Sequence, residues 1–532
     1  MQSLGCEPVR SPVHFNFATD VVDRWAATRP DELALWHVTQ ATGAELKLSF
    51  REVAEQSRRA AHFLRESGVQ RGDRVLLMLP RVPEWWIAMT GLIRLGAIPV
   101  PATLLLTPRD VAYRLKTAGI HCVITTPEGI SKAGDFSGIR VLVGGERSGW
   151  LDFDRGVSAS SPEFAAEPTR SDDPGILFFT SATTGEPKMV LHTQASYGMG
   201  HRLTGELWLD LKPGDLHWNI SDLGWAKAAW SSFYGPWNMG AGLFAMDVAG
   251  KFDPVLTLNT LAKYPVTTWC APPTALRLIV RQDLSLWKFP HLRHCVTAGE
   301  PLNPEVLRLW REATGLTIHE GYGQTESVVL IGNFRSMECS IRPGSMGKAT
   351  PGFDIALLDE HLNEVPAGTE GEIAIRVNSK RPLGLFQGYW MNPGEDSLKF
   401  RDGWYLTGDR ASRDAEGYFW FVGRKDDVIK SSGYRIGPFE VESALIEHPA
   451  VLDVGVVGKP DPLRGQIVKA FIVLRQGISA SEELAEELKN HCKRLVAAYK
   501  YPREIEFVPE LPKTVSGKTR HVELRSKGAS QA

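Results

Sequence analysis

The sequence predicts an α/β protein: a large N-terminal domain of mixed sheets and helices, followed by a small α+β domain. Three observations carry this. Over roughly the first 400 residues, helix-spaced and strand-like apolar segments alternate. The strand-like runs there lack in/out alternation, as expected of strands covered on both faces. Beyond Asp426 a compact helix–strand–strand–helix–strand block follows, long enough to form its own domain.

In chain order, Phe50 to Ser67 carries Val53, Ala60, Ala61 and Leu64 at helical spacing and reads as a helix. The strand Val75 to Leu79 follows, stopped by Pro80, then the helix Glu84 to Leu95, stopped by Gly96. Cys122 to Ile124, Val141 to Val143, Ile176 to Phe179, Val266 to Trp269 and His294 to Thr297 continue the strand series. From about residue 350 the pattern changes to antiparallel strands, Asp354 to Leu358 and Glu372 to Val377, between Gly- and Pro-bearing turns. The final block reads as helix Pro438 to Glu447, strands Val451 to Val457 and Val468 to Leu474, helix Glu482 to Val496 and strand Glu504 to Val508. The domains are therefore expected at 1–425 and 426–532.

Composition narrows the function classes. The 532 residues are 43% hydrophobic and 23% charged, the balance of a globular chain with a sizeable core. Sixty basic residues oppose 62 acidic ones, and this near-neutral balance argues against a nucleic-acid partner. No apolar run approaches the ~20 residues that cross a bilayer, so no membrane span is expected. The N-terminus lacks a charged start followed by an apolar block. Six widely spaced cysteines, with no Cys-x-x-Cys pair, read as reduced thiols; the location expected from these features is cytoplasmic. The sequence carries no signal for oligomeric state.

Four segments carry possible chemistry. Thr180-Ser181-Ala182-Thr183-Thr184-Gly185-Glu186-Pro187-Lys188 follows an apolar strand, and its hydroxyls, backbone N–H groups and lysine suit a polyphosphate. It lacks the Gly-Lys-Ser/Thr ending of a Walker loop, and a polar surface loop is the other reading. In Tyr322-Gly323-Gln324-Thr325-Glu326, after a short strand Leu316 to His319, the adjacent hydroxyl and carboxylate of Thr325 and Glu326 can hold magnesium against phosphates. Trp404-Tyr405-Leu406-Thr407-Gly408-Asp409 places a carboxylate after a turn, with Arg424 close by at the domain boundary; together they suit a ribose. Pro512 to Lys518 ends in a lysine beside Gly517, on a loop tip.

In order and spacing, these segments resemble the motifs of the adenylate-forming superfamily: acyl-CoA synthetases, nonribosomal adenylation domains and luciferases. The phosphate loop matches Thr-Ser-Gly-Thr-Thr-Gly-x-Pro-Lys except at Ala182. Gly423-Arg424-Lys425-Asp426-Asp427 and Pro512-Lys513-Thr514-Val515-Ser516-Gly517-Lys518 match as well. Leu79 to Trp86, Lys251 to Pro254, Ser431 to Pro438 and Tyr499 to Arg503 resemble medium-chain acyl-CoA synthetases in particular.

The resemblance implies ligation of a carboxylic acid, medium-chain fatty or aryl, to coenzyme A through an acyl-adenylate, with ATP and Mg2+. It places Lys518 between the acyl carboxylate and the α-phosphate, Glu326 on magnesium, and Thr325 near both reacting groups. Thr180 to Lys188 would clamp the outer phosphates. Glu320, Gly321, Tyr322, Gly323 and Gln324 would line the nucleotide, with Gly299-Glu300-Pro301 near the adenine and Asp409 and Arg424 on the ribose. Asp426 would be the hinge of a mobile C-terminal domain. Ser432, Gly433 and Tyr434 would face the pantetheine arm, and Arg435, Arg464, Lys493, Tyr501, Pro502 and Arg503 would contact the coenzyme. Trp225 and Gly323 fall at acyl-pocket positions; relatives specific for acetate carry Trp where Gly323 stands, so room beyond two carbons is expected. Ala182 in place of Gly adds a Cβ where a positive φ would cost roughly 1–2 kcal/mol. Two other readings remain: an adenylate-former delivering to a different acceptor, and a nucleotide-binding relative weakened by Ala182.

Overall fold

The computed structural model describes residues 11–180, 187–248, 250, 252–337, 340–377, 381–432, 434–497, 499–514 and 518–529. The phosphate-loop residues Ser181 to Glu186, together with Gly433 and residues 515–517, lie outside that set. So do Cys6 and Cys339.

A nine-stranded sheet organises the large domain. Its order runs Lys348–Ala349, Ile331–Gly332, Ile318–Tyr322, His294–Ala298, Thr268–Cys270, Leu216–Asn219, Gly242–Asp247, Leu33–Thr39, Glu45–Ser49. Every neighbour from Ile318–Tyr322 to Leu33–Thr39 is parallel, and both edges are antiparallel. A second, wholly parallel sheet contains Ile98–Pro101, Arg74–Met78, Cys122–Thr125, Ile139–Leu142 and Leu151–Asp152. Its apolar strands are buried, as their unbroken runs require. The helix Phe50–Glu66 begins at a capping box, in which Ser49 and Glu52 each accept the other's backbone N–H. The helix Pro83–Leu95 opens with proline and stops at Gly96, which takes φ +72°.

The strand expected at Ile176 to Phe179 departs from the parallel pattern. Pro174–Thr180 pairs antiparallel with Lys188–Thr193, which in turn pairs with Gly388–Tyr389. The connection from 180 to 188 is too short for the crossover that a parallel pair needs. The phosphate-loop segment is thus the connection of this antiparallel pair.

After residue 350 the chain forms an antiparallel sheet of Ile355–Leu358, Glu370–Arg376, Trp404–Arg413, Phe400–Arg401 and Phe419–Arg424. The C-terminal sheet comprises Tyr434–Ile436, Ile429–Ser431, Gly465–Leu474 and Val451–Asp461, with Glu504–Phe507 parallel to Gly465–Leu474. Helices Pro438–Ile446, Glu482–Leu495 and His521–Ala529 complete it. Ile429, Ile436, Val441, Leu445, Val456, Ile472, Leu488 and Cys492 form a core of its own. Asp426 lies in the connection between the two sheets. Cys122, Cys270, Cys295 and Cys492 are buried, reduced and packed as small apolar side chains. No helix among the described residues is long and apolar enough to cross a membrane.

Candidate active site

A cleft of about 1390 Å³ opens where the parallel strands of the nine-stranded sheet end. Asn219, Asp247, Cys270, Ala298 and Tyr322 terminate those strands, and the segments that follow them line the cleft. Crevices at carboxyl strand ends are where open α/β sheets bind ligands. Thr180, Lys188, Trp225, Gly299, Glu300, Pro301, Glu320 to Glu326, Asp409, Arg424 and Lys518 all reach this one space. Pro187 and Asp426 do not line it, and none of the described coenzyme-assigned residues does.

Two local expectations need correction. Tyr322 is not in a turn after a short strand, because the strand itself starts at Ile318 and ends at Tyr322. Asp409 lies within the strand Trp404–Arg413 and not after a turn, directly opposite Arg424. The pairing explains both positions: neighbouring strands hold Glu320 and Gly321 against Thr297 and Ala298.

Asp409 is the hub of a buried polar network. Its Oδ2 accepts from the Tyr322 hydroxyl and from Gln324 Nε2, each at 2.7 Å. Tyr405 donates to Gln324 Oε1 at 2.9 Å. Asp409 Oδ1 faces Arg424 Nε at 3.8 Å. With Oδ2 already accepting two bonds, Oδ1 is the freer of the two carboxylate oxygens. Burial and the Asp409 charge push the Tyr322 hydroxyl well above its ordinary value, so it stays a donor.

Glu320, beside the strand end, is buried, and that burial raises its carboxyl to about 8, opposed by the Leu302 N–H donated to Oε1 at 2.9 Å. At neutral pH it is chiefly a neutral acid. Gly323 is not open space. A Cβ there would lie 2.5 Å from Trp230 Cη2 and 2.6 Å from the Val328 carbonyl, so Trp230 packs directly against this glycine and any side chain at 323 would displace it. Trp225, half-buried at the start of helix Ala226–Ala229, faces the cleft and is not plain core.

At the phosphate end, Tyr389 donates to Glu326 Oε1 at 2.8 Å. Lys188 is paired with Glu395 and stands 5.5 Å from the centre of the Tyr389 ring. The backbone of Thr325 is held from beneath: His192 Nε2 and the Tyr197 hydroxyl both donate to its carbonyl, at 2.7 and 2.9 Å. Burial lowers His192 to about 3, so the ring is neutral with its proton on Nε2.

Lys518 is held by its backbone to Thr514. Its N–H donates to Thr514 Oγ1 at 3.1 Å, its carbonyl accepts from Thr514 N at 2.8 Å, and Lys513 bridges to Thr519. Among the described residues it has no ion pair. Lys227 shares the cleft; it donates to the Ala298 carbonyl at 2.8 Å and is held below its ordinary value, mainly by burial and in part by Lys518.

Sequence reasoning missed Lys227, Tyr389, Glu395 and His192. Only Lys227 had a local signal, a lone charge in the apolar run Trp225-Ala226-Lys227-Ala228-Ala229-Trp230.

The described coenzyme-assigned residues lie elsewhere, on the C-terminal domain. Ser432, at φ +49°, is hydrogen-bonded to Arg464. Tyr434 stacks on Tyr499 with centroids 4.2 Å apart, joining this hairpin to Tyr501, over whose ring Lys493 and Arg503 lie at 4.3 and 5.2 Å. Pro502 is buried beside them. Arg435 is paired instead with Glu360 of the large domain.

Residues 22–390 match the AMP-binding enzyme family, and residues 440–518 match its C-terminal domain. The chain is 46% identical to mouse mitochondrial acyl-coenzyme A synthetase ACSM3, over 98% of its own length and 91% of the relative's. It is 47% identical to rat mitochondrial acyl-coenzyme A synthetase ACSM4, over 97% and 90%. The solved anthranilate CoA ligase AuaEII, in complex with anthranoyl-AMP, superposes with a TM-score of 0.88 at 31% identity, over 97% of this chain and 98% of the other. The chain belongs to the AMP-binding enzyme family. It is an AMP-forming acyl-coenzyme A synthetase, joining an acid to coenzyme A through an acyl-adenylate with ATP as the driving substrate. The cytoplasmic expectation is overturned by these relatives, which are mitochondrial. Its basis was weak, since spaced and buried thiols report packing, not compartment.

Proposed function

We propose that this synthetase activates a medium-chain fatty or aryl acid, and that Lys518 is the residue that lets the first half-reaction proceed. The observation carrying this reading is convergence. The turn bearing Lys518, from the last segment of the chain, meets Thr325, Glu326, Asp409 and Lys188 in one cleft. A carboxylate attacking an α-phosphate brings two anions together, and the approach needs a fixed cation. Lys518 meets that need as the pentavalent arrangement forms, which is transition-state stabilisation by a preorganised donor. Asp409 and Arg424 hold the ribose. Glu320, as a neutral acid, and Tyr322 border the base, with Gly299 to Pro301 beside them. Trp225 and Trp230 give the acyl arm aromatic walls, which suit an apolar or flat acid, and the anthranilate ligase is similar over nearly the whole chain.

The donor set fits magnesium. The Glu326 carboxylate keeps one oxygen outside its bond to Tyr389, and Mg2+ is commonly bound by one or two carboxylates together with substrate phosphates and water. Glu326 would hold it, with Thr325 alongside, and the ion would neutralise charge on the departing pyrophosphate. Lys188 would meet the outer phosphates.

In the second half-reaction the thiol must reach the carbonyl that Lys518 has covered. Here the coenzyme set lies outside the cleft while Lys518 lies in it. Rotation of 426–532 about Asp426 would exchange the two, bringing the Ser432–Tyr434 loop to the acyl carbonyl.

The test offers Mg-ATP with acids of two to about twelve carbons and with aromatic acids, following pyrophosphate and thioester with and without coenzyme A. Thioester from medium or aryl acids supports the reading. Adenylate that ignores the thiol, or preference for acetate, overturns it.

A further inference from the structure

The last helix joins the catalytic turn to the hinge. His521, at its first position, donates from Nε2 to Glu442 Oε1 at 2.8 Å; the two side chains are 22% and 18% exposed. Glu442 is on helix Pro438–Ile446, and its Oε1 also accepts the Val456 N–H at 2.8 Å, so the acceptor is fixed to both a helix and the edge strand Val451–Asp461. One turn further along the last helix, Arg525 is paired with Asp427 and donates to the Asp426 carbonyl at 3.2 Å. At the other end of the catalytic turn, Lys513 is paired with Asp453 at 2.6 Å, and Arg520 N–H donates to the Pro512 carbonyl at 2.8 Å. The Lys518 backbone is thus suspended between Asp453 on one side and Glu442 on the other.

We propose that His521, in its imidazolium form, is a positioning residue for Lys518: by docking the start of helix His521–Ala529 on Glu442 it seats the turn that presents the lysine to the cleft. The inference rests on the role given to Lys518 above. Arg525 extends the same tie to Asp426 and Asp427, so the hinge and the lysine move as one body. A permanently charged residue at 521 would do this at any pH; histidine makes the seating depend on a proton.

The two carboxylates facing the ring, Glu442 and Asp427, act in one direction. Burial works against its charge, but Glu442 outweighs that and Asp427 adds to it, while Arg525 on the same helix opposes them weakly. The net effect is a value above that of an ordinary histidine. A raised value means that the contact is complete below the unperturbed imidazole range and is lost as pH rises through the folded-state value.

The experiment compares wild type, His521→Gln and His521→Arg from about pH 6 to about pH 10. Acid-dependent ATP–pyrophosphate exchange reads the first half-reaction; thioester formation from preformed acyl-adenylate reads the second. His521→Gln is expected to lose about tenfold in exchange at neutral pH, with thioester formation from preformed adenylate spared. His521→Arg should keep the exchange rate and remove the alkaline decline that wild type shows. Superimposable wild-type and His521→Arg profiles, or equal loss of both half-reactions in His521→Gln, overturn the proposal. Hydrogen exchange over residues 518–529 provides a reading without substrate: wild type should lose protection relative to His521→Arg as pH rises, and a constant ratio overturns the inference. If wild type exchanges pyrophosphate with no acid, the functional reading falls on its own, and the protection ratio still judges the His521–Glu442 contact.

Discussion

Glu360 and Arg435 stand 2.6 Å apart, one on the turn after strand Ile355–Leu358 and the other on strand Tyr434–Ile436. Arg435 is one of the cations assigned to coenzyme A, so in this arrangement an internal carboxylate occupies it. The pair is exposed and therefore weak, which suits a contact that would break on the proposed rotation of the C-terminal domain. Glu360→Gln should lower KM for coenzyme A about two- to fivefold without raising KM for ATP. Steady-state kinetics with each substrate varied in turn checks this, and an unchanged coenzyme KM would count against it.

Lys518→Ala should reduce adenylation by about 10²- to 10³-fold, the usual effect of removing a preorganised donor. Thioester formation from preformed acyl-adenylate should persist. Single-turnover assays of the two halves separate these outcomes.

Glu320 predicts a pH dependence of stability. Its folded-state value of about 8 lies above the 4.5 of a free glutamate, so its contribution is complete below about 4.5 and is lost as pH rises through 8. Glu320→Gln should flatten the decline of Tm between about pH 5 and pH 8, measured by thermal unfolding between about pH 5 and pH 9. A parallel decline in both proteins would assign it to other groups.

Gly323→Ala inserts a methyl 2.5 Å from Trp230 and 2.6 Å from the Val328 carbonyl. Overpacking of this kind costs about 1–3 kcal/mol. Denaturant unfolding should show that loss, and KM for the acid should rise more than KM for ATP, because Trp230 walls the acyl arm.

Much of the fold was legible because its signals are local. The helix Phe50–Glu66 and the unbroken strands Arg74–Met78 and His294–Ala298 announce themselves by period and burial. Pairing was less legible: nothing in Ile176 to Phe179 states that its partner is Lys188–Thr193 and that they run antiparallel. At the site, contiguous motifs located Tyr322 to Glu326, Asp409 and Lys518. They were silent about the groups holding them. Tyr389 is 63 residues from Glu326, and His192 is 133 from Thr325. The glycine at 323 did not reveal that Trp230 packs against it, because a missing side chain says nothing of its neighbour.

The contact between Lys188 and Glu395 bears on how the enzyme tells nucleotides from the small anions around it. A lysine already engaged by a carboxylate offers little to inorganic phosphate, which must displace that partner with a single group. On the proposed role of Lys188, a triphosphate anchored at several other points would displace Glu395 from it once seated. Discrimination would then come from a cation withheld until most of the ligand is in place.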